Sequence, residues 1–292
     1  MGFDEQQRGL IEASRRLLEE GQADLVIGFT EGDLKGRTVP AFARSPKDIE
    51  SFKWDVSCTP NLAKYLLDKK VKTAILAKPC DARAAVMYMV ENQVKRENLI
   101  IIGLECPGMK NPDGSPAPGC SECTIRIPPV YDILIEYGDE PYAVPPVEAG
   151  QERIDDKLRR FQDELSKCIM CFSCRQACYG CYCNVCFIDR DMPDWHPADL
   201  DTAAKMTFHL GRAMHLAGRC VECGACERVC PSGVKIRYLI KELTELCKEQ
   251  YDYTAGLNPD EKPALSGFGP KDRDFGFLGG EEDGCCDSKT KA

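Results

Sequence analysis

Two runs of cysteine restrict what this chain can fold into more than any other feature. Cys168, Cys171, Cys174 and Cys178 are spaced C-x2-C-x2-C-x3-C, and Cys220, Cys223, Cys226 and Cys230 repeat that spacing ahead of Pro231. In all, 19 of the 292 residues are cysteine. A disulfide framework would suit a small secreted domain, but this chain is long and opens on a polar stretch with no apolar signal core. Its longest apolar run, Leu99 to Leu104, is far too short to span a bilayer. The reading is therefore a soluble cytoplasmic protein whose cysteines hold metal.

The doubled spacing is that of the bacterial ferredoxin run. Three closely spaced thiolates grip one 4Fe–4S cubane, and the fourth cysteine ligates the other cluster. This assigns Cys168, Cys171, Cys174 and Cys230 to one cluster, and Cys178, Cys220, Cys223 and Cys226 to a second. Zinc also takes C-x2-C pairs, but it calls for two pairs rather than two reciprocal runs of four. The net charge of −9 and pI of about 5.1 argue against nucleic acid and against an anionic membrane surface as partners.

The chain divides by composition. Residues 1–138 alternate helical and strand patterns, which implies an α/β domain with a parallel-type sheet. Helices are expected over residues 4–20, 61–69 and 81–90, the last with Asp81 as N-cap; strands are expected over 23–29, 38–43, 73–77, 99–104 and 131–137. Gly28, Gly32 and Gly36 resemble a phosphate loop only loosely and read as a turn between strands. Residues 139–150 form a Pro-rich linker. Residues 151–247 form a mainly helical dicluster domain, with helices over 151–167, 200–216 and 234–247. Residues 248–292 form an acidic Gly/Pro-rich tail, extended around a neighbour or disordered.

A further group of cysteines lies in the first domain. Cys80 and Cys106 each follow a strand, so parallel neighbouring strands would bring both to one sheet edge, where α/β folds place their sites. Cys120 and Cys123 follow in a Pro/Gly loop that could close over that edge. The alternative is packing for Cys80 and Cys106 and a zinc knuckle at Cys120 and Cys123.

The stretches Pro79-Cys80-Asp81, Leu104-Glu-Cys106-Pro-Gly and Cys120-x2-Cys123 before Tyr131-Asp-Ile-Leu-Ile resemble the β-subunit family of deazaflavin-reducing hydrogenases and formate dehydrogenases. The resemblance covers about residues 70–138. It implies a third 4Fe–4S cluster on Cys80, Cys106, Cys120 and Cys123, and in that family the α/β domain also carries FAD and reduces the deazaflavin. The cysteine domain resembles the helical dicluster ferredoxin domain of succinate dehydrogenase iron–sulfur subunits and heterodisulfide reductase subunits. Tyr179 stands where that pattern has proline, which leaves the loop looser but removes no ligand. Cys181-Tyr-Cys183-Asn-Val-Cys186 and His215-Leu-Ala-Gly-Arg-Cys220 resemble companion sequences of heterodisulfide-reductase type.

Cys181, Cys183 and Cys186 complete a further cluster with a distant ligand such as Cys58 or Cys247, or bind a partner's metal, or are thiols crowded beside a cluster loop. Cys285 and Cys286 read as unstructured. His209 and His215, on the helix between the runs, are placed to hydrogen-bond near a cluster or to serve as packing residues, and packing is the preferred reading. No Ser-His-Asp or paired-carboxylate arrangement suggests a catalytic residue.

The expected function is an iron–sulfur electron-transfer subunit of a multi-subunit cytoplasmic oxidoreductase of anaerobic metabolism. It would relay single electrons between a flavin- or metal-bearing catalytic subunit and a heterodisulfide-reductase-like module. The alternative is an FAD-containing subunit that itself reduces a deazaflavin or nicotinamide coenzyme.

Overall fold

A run of apolar residues bounded by turn residues folds as a strand when a neighbour can take up its backbone groups, and five such runs here share one sheet. The computed structural model describes residues 2–138, 153–190 and 200–264. The strands are β1 (Leu25–Glu31), β2 (Thr38–Ala43), β3 (Thr73–Ala77), β4 (Leu99–Leu104) and β5 (Ile133–Ile135), in the order β2-β1-β3-β4-β5. All neighbours are parallel except β1 and β2, which form an antiparallel edge, so the sheet is mixed. Every residue of β3 is buried. Because strand side chains alternate between faces, the sheet centre is covered on both sides.

The helix α1 (Phe3–Glu19) packs on this sheet through Gln6, Leu10, Ala13, Ser14 and Leu17, one stripe at helical spacing. Gln6 is fully buried and satisfied: its amide donates to the carbonyls of Glu105 and Ile135, and Trp54 Nε1 donates to its Oε1 at 2.7 Å. Residues 62–66 form a 3-10 turn, not the longer helix expected over 61–69. Gly28 lies inside β1, where a Cβ would stand 2.5 Å from Phe52, so the glycine spacing there serves close packing. The expected turn is confined to residues 32–37, where Gly32 N–H donates to Arg37.

Helix α2 runs Pro79–Val90, two residues earlier than expected, with Lys78 rather than Asp81 as N-cap. Pro79 starts it, since proline's fixed φ and missing N–H suit the first helical position. Asp81 sits one turn in and accepts from the N–H groups of Lys78 and Leu62 at 3.0 and 2.7 Å. Cys80 therefore lies in the first turn of α2.

The remaining helices are α3 (Ile154–Ser166), α4 (Ser173–Ala177), α5 (Thr202–Leu216), α6 (Ala225–Arg228) and α7 (Arg237–Tyr251). The linker, residues 139–150, lies outside the described residues, as do the cysteines at 285 and 286.

Helix α7 continues past the expected boundary at residue 247, and the segment after it folds back on α2. Tyr253 and Ala255 are buried, and Arg83 Nε donates to the Ala255 carbonyl at 2.9 Å. Gly256 takes φ +74°, and a Cβ there would stand 2.2 Å from the Arg83 carbonyl oxygen. Gly256→Ala is expected to lose at least the roughly 1–3 kcal/mol that a left-handed non-glycine costs, and to expose residues 252–264 to protease. Denaturant unfolding with limited proteolysis checks this; unchanged midpoint and cleavage would contradict the packing.

Candidate metal centres

The two cysteine runs adopt one backbone course. Two and four residues after the first cysteine the chain enters the left-handed region: Met170 (φ +52°) and Phe172 (φ +58°) after Cys168, Glu222 (φ +56°) and Gly224 (φ +71°) after Cys220. Three of the four carry a Cβ and are strained there, a feature that gathers at ligand-clamping loops. The result turns N–H groups inward onto sulfur. Met170 donates to Cys168 at 3.4 Å, Glu222 to Cys220 at 3.4 Å, and Val234 to Cys230 at 3.3 Å. Inward N–H groups form concavities that suit anions, and hydrogen bonds to sulfur tune cluster potentials. Each loop runs directly into a short helix, α4 or α6, and these two helices pack on one another.

Cys168, Cys171, Cys174 and Cys230 line one cavity, with Phe208, His209 and Cys226. Cys178, Cys220, Cys223 and Cys226 line a second, with Tyr179 and Arg212. Cys226 thus stands in the wall between the two. None of the seventeen described cysteines forms a disulfide. Among the described residues no three Cys, His, Asp or Glu side chains close on a single ion position. The thiols surround spaces.

A third cavity is lined by Cys80, Cys106, Cys120 and Cys123. β3 and β4 are parallel neighbours paired from Thr73↔Leu99 to Ala77↔Gly103, so the chain leaves both at the same edge just before Cys80 and Cys106. Cys120 and Cys123 come from a 3-10 turn opened by Gly119 (φ +87°). Cys223 also lines this space, so it is the wall between the second and third sites.

The surroundings suit an anionic group. The third cavity presents Lys78, Arg83, Arg126, Arg228 and Arg237 against Glu122 and Glu222. Lys78 is 2 % exposed, ion-paired to Asp81 at 2.8 Å, and donates to the Pro60 carbonyl. Arg83 is buried with no hydrogen-bond partner on its NH2 group among the described residues. Burial pushes the Cys80 thiol well up and the Cys106 and Cys226 thiols up to about 12. Such thiols ionise when a metal takes the proton's place. A hydrogen bond from Cys181 favours the Cys178 thiolate. Thiolate-rich cavities ringed by cations with spare donors fit iron–sulfur clusters, with the four cysteines of each set as the groups that would hold them.

Comparison with known proteins finds relatives that match along most of the chain. The F420-dependent formate dehydrogenase subunit beta of Methanocaldococcus jannaschii is 20% identical, over 86% of this chain and 92% of that protein. The F420-dependent formate dehydrogenase 1 subunit beta of Methanococcus maripaludis is 22% identical, over 87% and 92%. No family model matches. Among solved structures, a chain of the F420-reducing NiFe hydrogenase complex from Methanosarcina barkeri is 18% identical, covering 35% of this chain and 38% of that one, with a TM-score of 0.31.

The third site is welded to the second by backbone. A Cβ on Gly224 would stand 1.9 Å from the Pro118 carbonyl oxygen, and one on Gly119 would stand 2.4 Å from that of Glu222. Glu122 adds an ion pair to Lys241 of α7 at 2.7 Å. Tyr179 is a correction to the expected looseness. It is buried, its carbonyl accepts from Tyr88 at 2.6 Å, and its own hydroxyl donates to the Arg219 carbonyl. An aromatic residue here anchors the loop to α2 through a pair of edge-to-face rings. Arg219 also forks onto Glu91 at the end of α2.

Several residues behave otherwise than their sequence context suggests. His209 takes the hydrogen-bonding alternative over the preferred packing: it is buried with Nε2 3.3 Å from Cys168 Sγ, and burial beside Arg212 holds its pKa down to about 4. His215 is exposed and lies edge-on to Phe187 at 4.9 Å. Cys58 is buried in the α/β core, bonded to the Lys53 carbonyl, and Cys247 packs by Gly218; neither lines a cavity with Cys181, Cys183 and Cys186. Lys78, Arg83 and Arg212 could not be found from sequence, since only the folded chain makes these scattered cations neighbours of the thiols.

Gly224→Ala is expected to cost more than about 3 kcal/mol, because the strained φ and the collision with Pro118 add. Gly114→Ala, with φ +83° but nothing within 4 Å, should cost only the roughly 1–3 kcal/mol of backbone strain. Equal losses in urea unfolding would show that the two loops are not in contact.

Proposed function

We propose that this chain is an iron–sulfur electron-transfer subunit of a multi-subunit oxidoreductase, with three 4Fe–4S clusters in a row. The observation that carries this reading is the pair of shared walls. Cys223 belongs to the second and third cavities, and Cys226 to the first and second. Three thiol-lined sites joined in that way form a line from the sheet edge through the centre to the far loop. When bound, the clusters supply single-electron storage and transfer. The chain's own residues hold and isolate them: left-handed loops aim N–H groups at sulfur, and Lys78, Arg83 and Arg212 offset the negative charge.

The relatives support the wider assignment, since both are named as β subunits of formate dehydrogenases. We infer a catalytic partner subunit at one end of the line and an acceptor module, of heterodisulfide-reductase type, at the other. No helix among the described residues is long and apolar enough to cross a membrane.

Anaerobically reconstituted protein is expected to bind at least about twelve irons per chain, from three four-iron sites. Cys178→Ser should lose the signature of the cluster at Cys220, Cys223 and Cys226 and spare the one at Cys168, Cys171 and Cys174. Iron analysis with electron paramagnetic resonance checks both; loss of the latter signature instead, or four irons or fewer in the parent protein, would refute the arrangement. Flavin released by acid would favour the reading in which the α/β domain is itself a coenzyme reductase.

A further inference from the structure

Cys181, Cys183 and Cys186 belong to none of the three sites, yet they line one cavity of about 520 Å3 together with His215. The loop that carries them is held at every part. At its start, Gly180 lets the chain pass Leu216, where a Cβ would stand 2.8 Å from Cδ2. In its middle, the Tyr182 hydroxyl donates to Glu91 at 2.6 Å. At its end, Arg175 grips both carboxylate oxygens of Asp189 at 2.8 Å. Phe187 fills the space above Gly211, where a Cβ would stand 2.8 Å from its ring, and braces His215. Thiols crowded together by accident need no such scaffold. The cavity also has the cationic character of the other three, with Arg175, Arg212 and Arg219 against Asp189 alone. Arg212 lines the second site as well, with its Nε unpartnered among the described residues.

We propose that Cys181, Cys183 and Cys186 are the thiolate ligands of a fourth iron–sulfur cluster, with the His215 imidazole completing its coordination. The proposal rests on the iron–sulfur reading of the other sites. Three thiolates and an imidazole are soft and borderline donors of the kind iron–sulfur centres accept, including centres in which histidine replaces cysteine. Assembly takes two ferrous and two ferric ions with four sulfide ions, and each ligating thiol gives up its proton to solvent as its sulfur–iron bond forms. No electron leaves the protein in that ligation. The site adjoins the middle of the row, because the Cys181 N–H donates to the Cys178 carbonyl at 3.3 Å and Arg212 spans both cavities. A cluster here makes the second site a junction with three neighbours, the geometry of a branched path.

Full-length protein, reconstituted anaerobically with ferrous and ferric iron and sulfide, should bind about sixteen irons, and the Cys183→Ala/Cys186→Ala double variant about twelve with its remaining resonance signals unchanged. About twelve irons in both proteins would overturn the fourth site and leave the row of three intact; an iron-free parent would overturn the underlying reading. A second measurement needs no variant. Cys183 is exposed, so as an ordinary thiol it would react quickly with iodoacetamide. Peptide mass analysis of the native iron-loaded protein should find Cys183 and Cys186 unmodified until the metal is stripped. Rapid alkylation of either while about twelve irons stay bound would refute ligation. His215→Cys should keep the iron count and shift only this cluster's resonance; an unshifted spectrum would remove His215 from the ligand set.

Discussion

The contact on which the rest of this molecule depends is the passage of two backbones past each other, at Pro118–Gly119 and Glu222–Gly224. Both glycines hold positive φ, and neither leaves room for a Cβ. Side chains could not bring the sheet-edge loop and the cysteine loop so close, because any residue with a Cβ would wedge them apart. Their closeness makes Cys223 a wall of two sites at once. What would otherwise be an α/β fold and a cysteine-rich helical fold becomes one body with a continuous line of thiols. The α2 contacts through Tyr88, Tyr179 and Glu91, and the return of residues 252–264, close around that junction.

Charge is the second organising constraint. Burying Lys78, Arg83 and Arg212 without anions to meet them would cost several kcal/mol each, since a charge withdrawn from water is stabilised only by close partners. Lys78 has Asp81 and the face of Phe29. Arg83 and Arg212 satisfy some of their donors on carbonyls and keep others without a partner among the described residues. Their placement against thiol cavities gives those donors a purpose, because thiolate-bound clusters are anionic. The same logic explains an acidic protein that keeps its buried cations for its interior sites while its surface stays negative.

The sequence alone determined a great deal. Chemistry-bearing spacing is local: C-x2-C-x2-C-x3-C is enough to aim three sulfurs into one loop, so the two runs were legible as they stand. The β2, β3 and β4 boundaries followed from short apolar segments between turn residues and match the structure. Local errors had local causes: the start of α2 was set by Pro79 at its first position, while Asp81 acts one turn inside. Tertiary structure decided which thiols become neighbours across long separations. Cys80 and Cys106 meet through the β3–β4 pairing that the sequence reading called for, whereas only the fold put Cys223 between two sites and His215 beside Cys181, Cys183 and Cys186 in place of Cys58 or Cys247. The physical reason is that a metal site's ligands are chosen by distance in the fold. Distances between residues far apart in the chain are set by strand order, helix packing and the few glycines that let backbones touch.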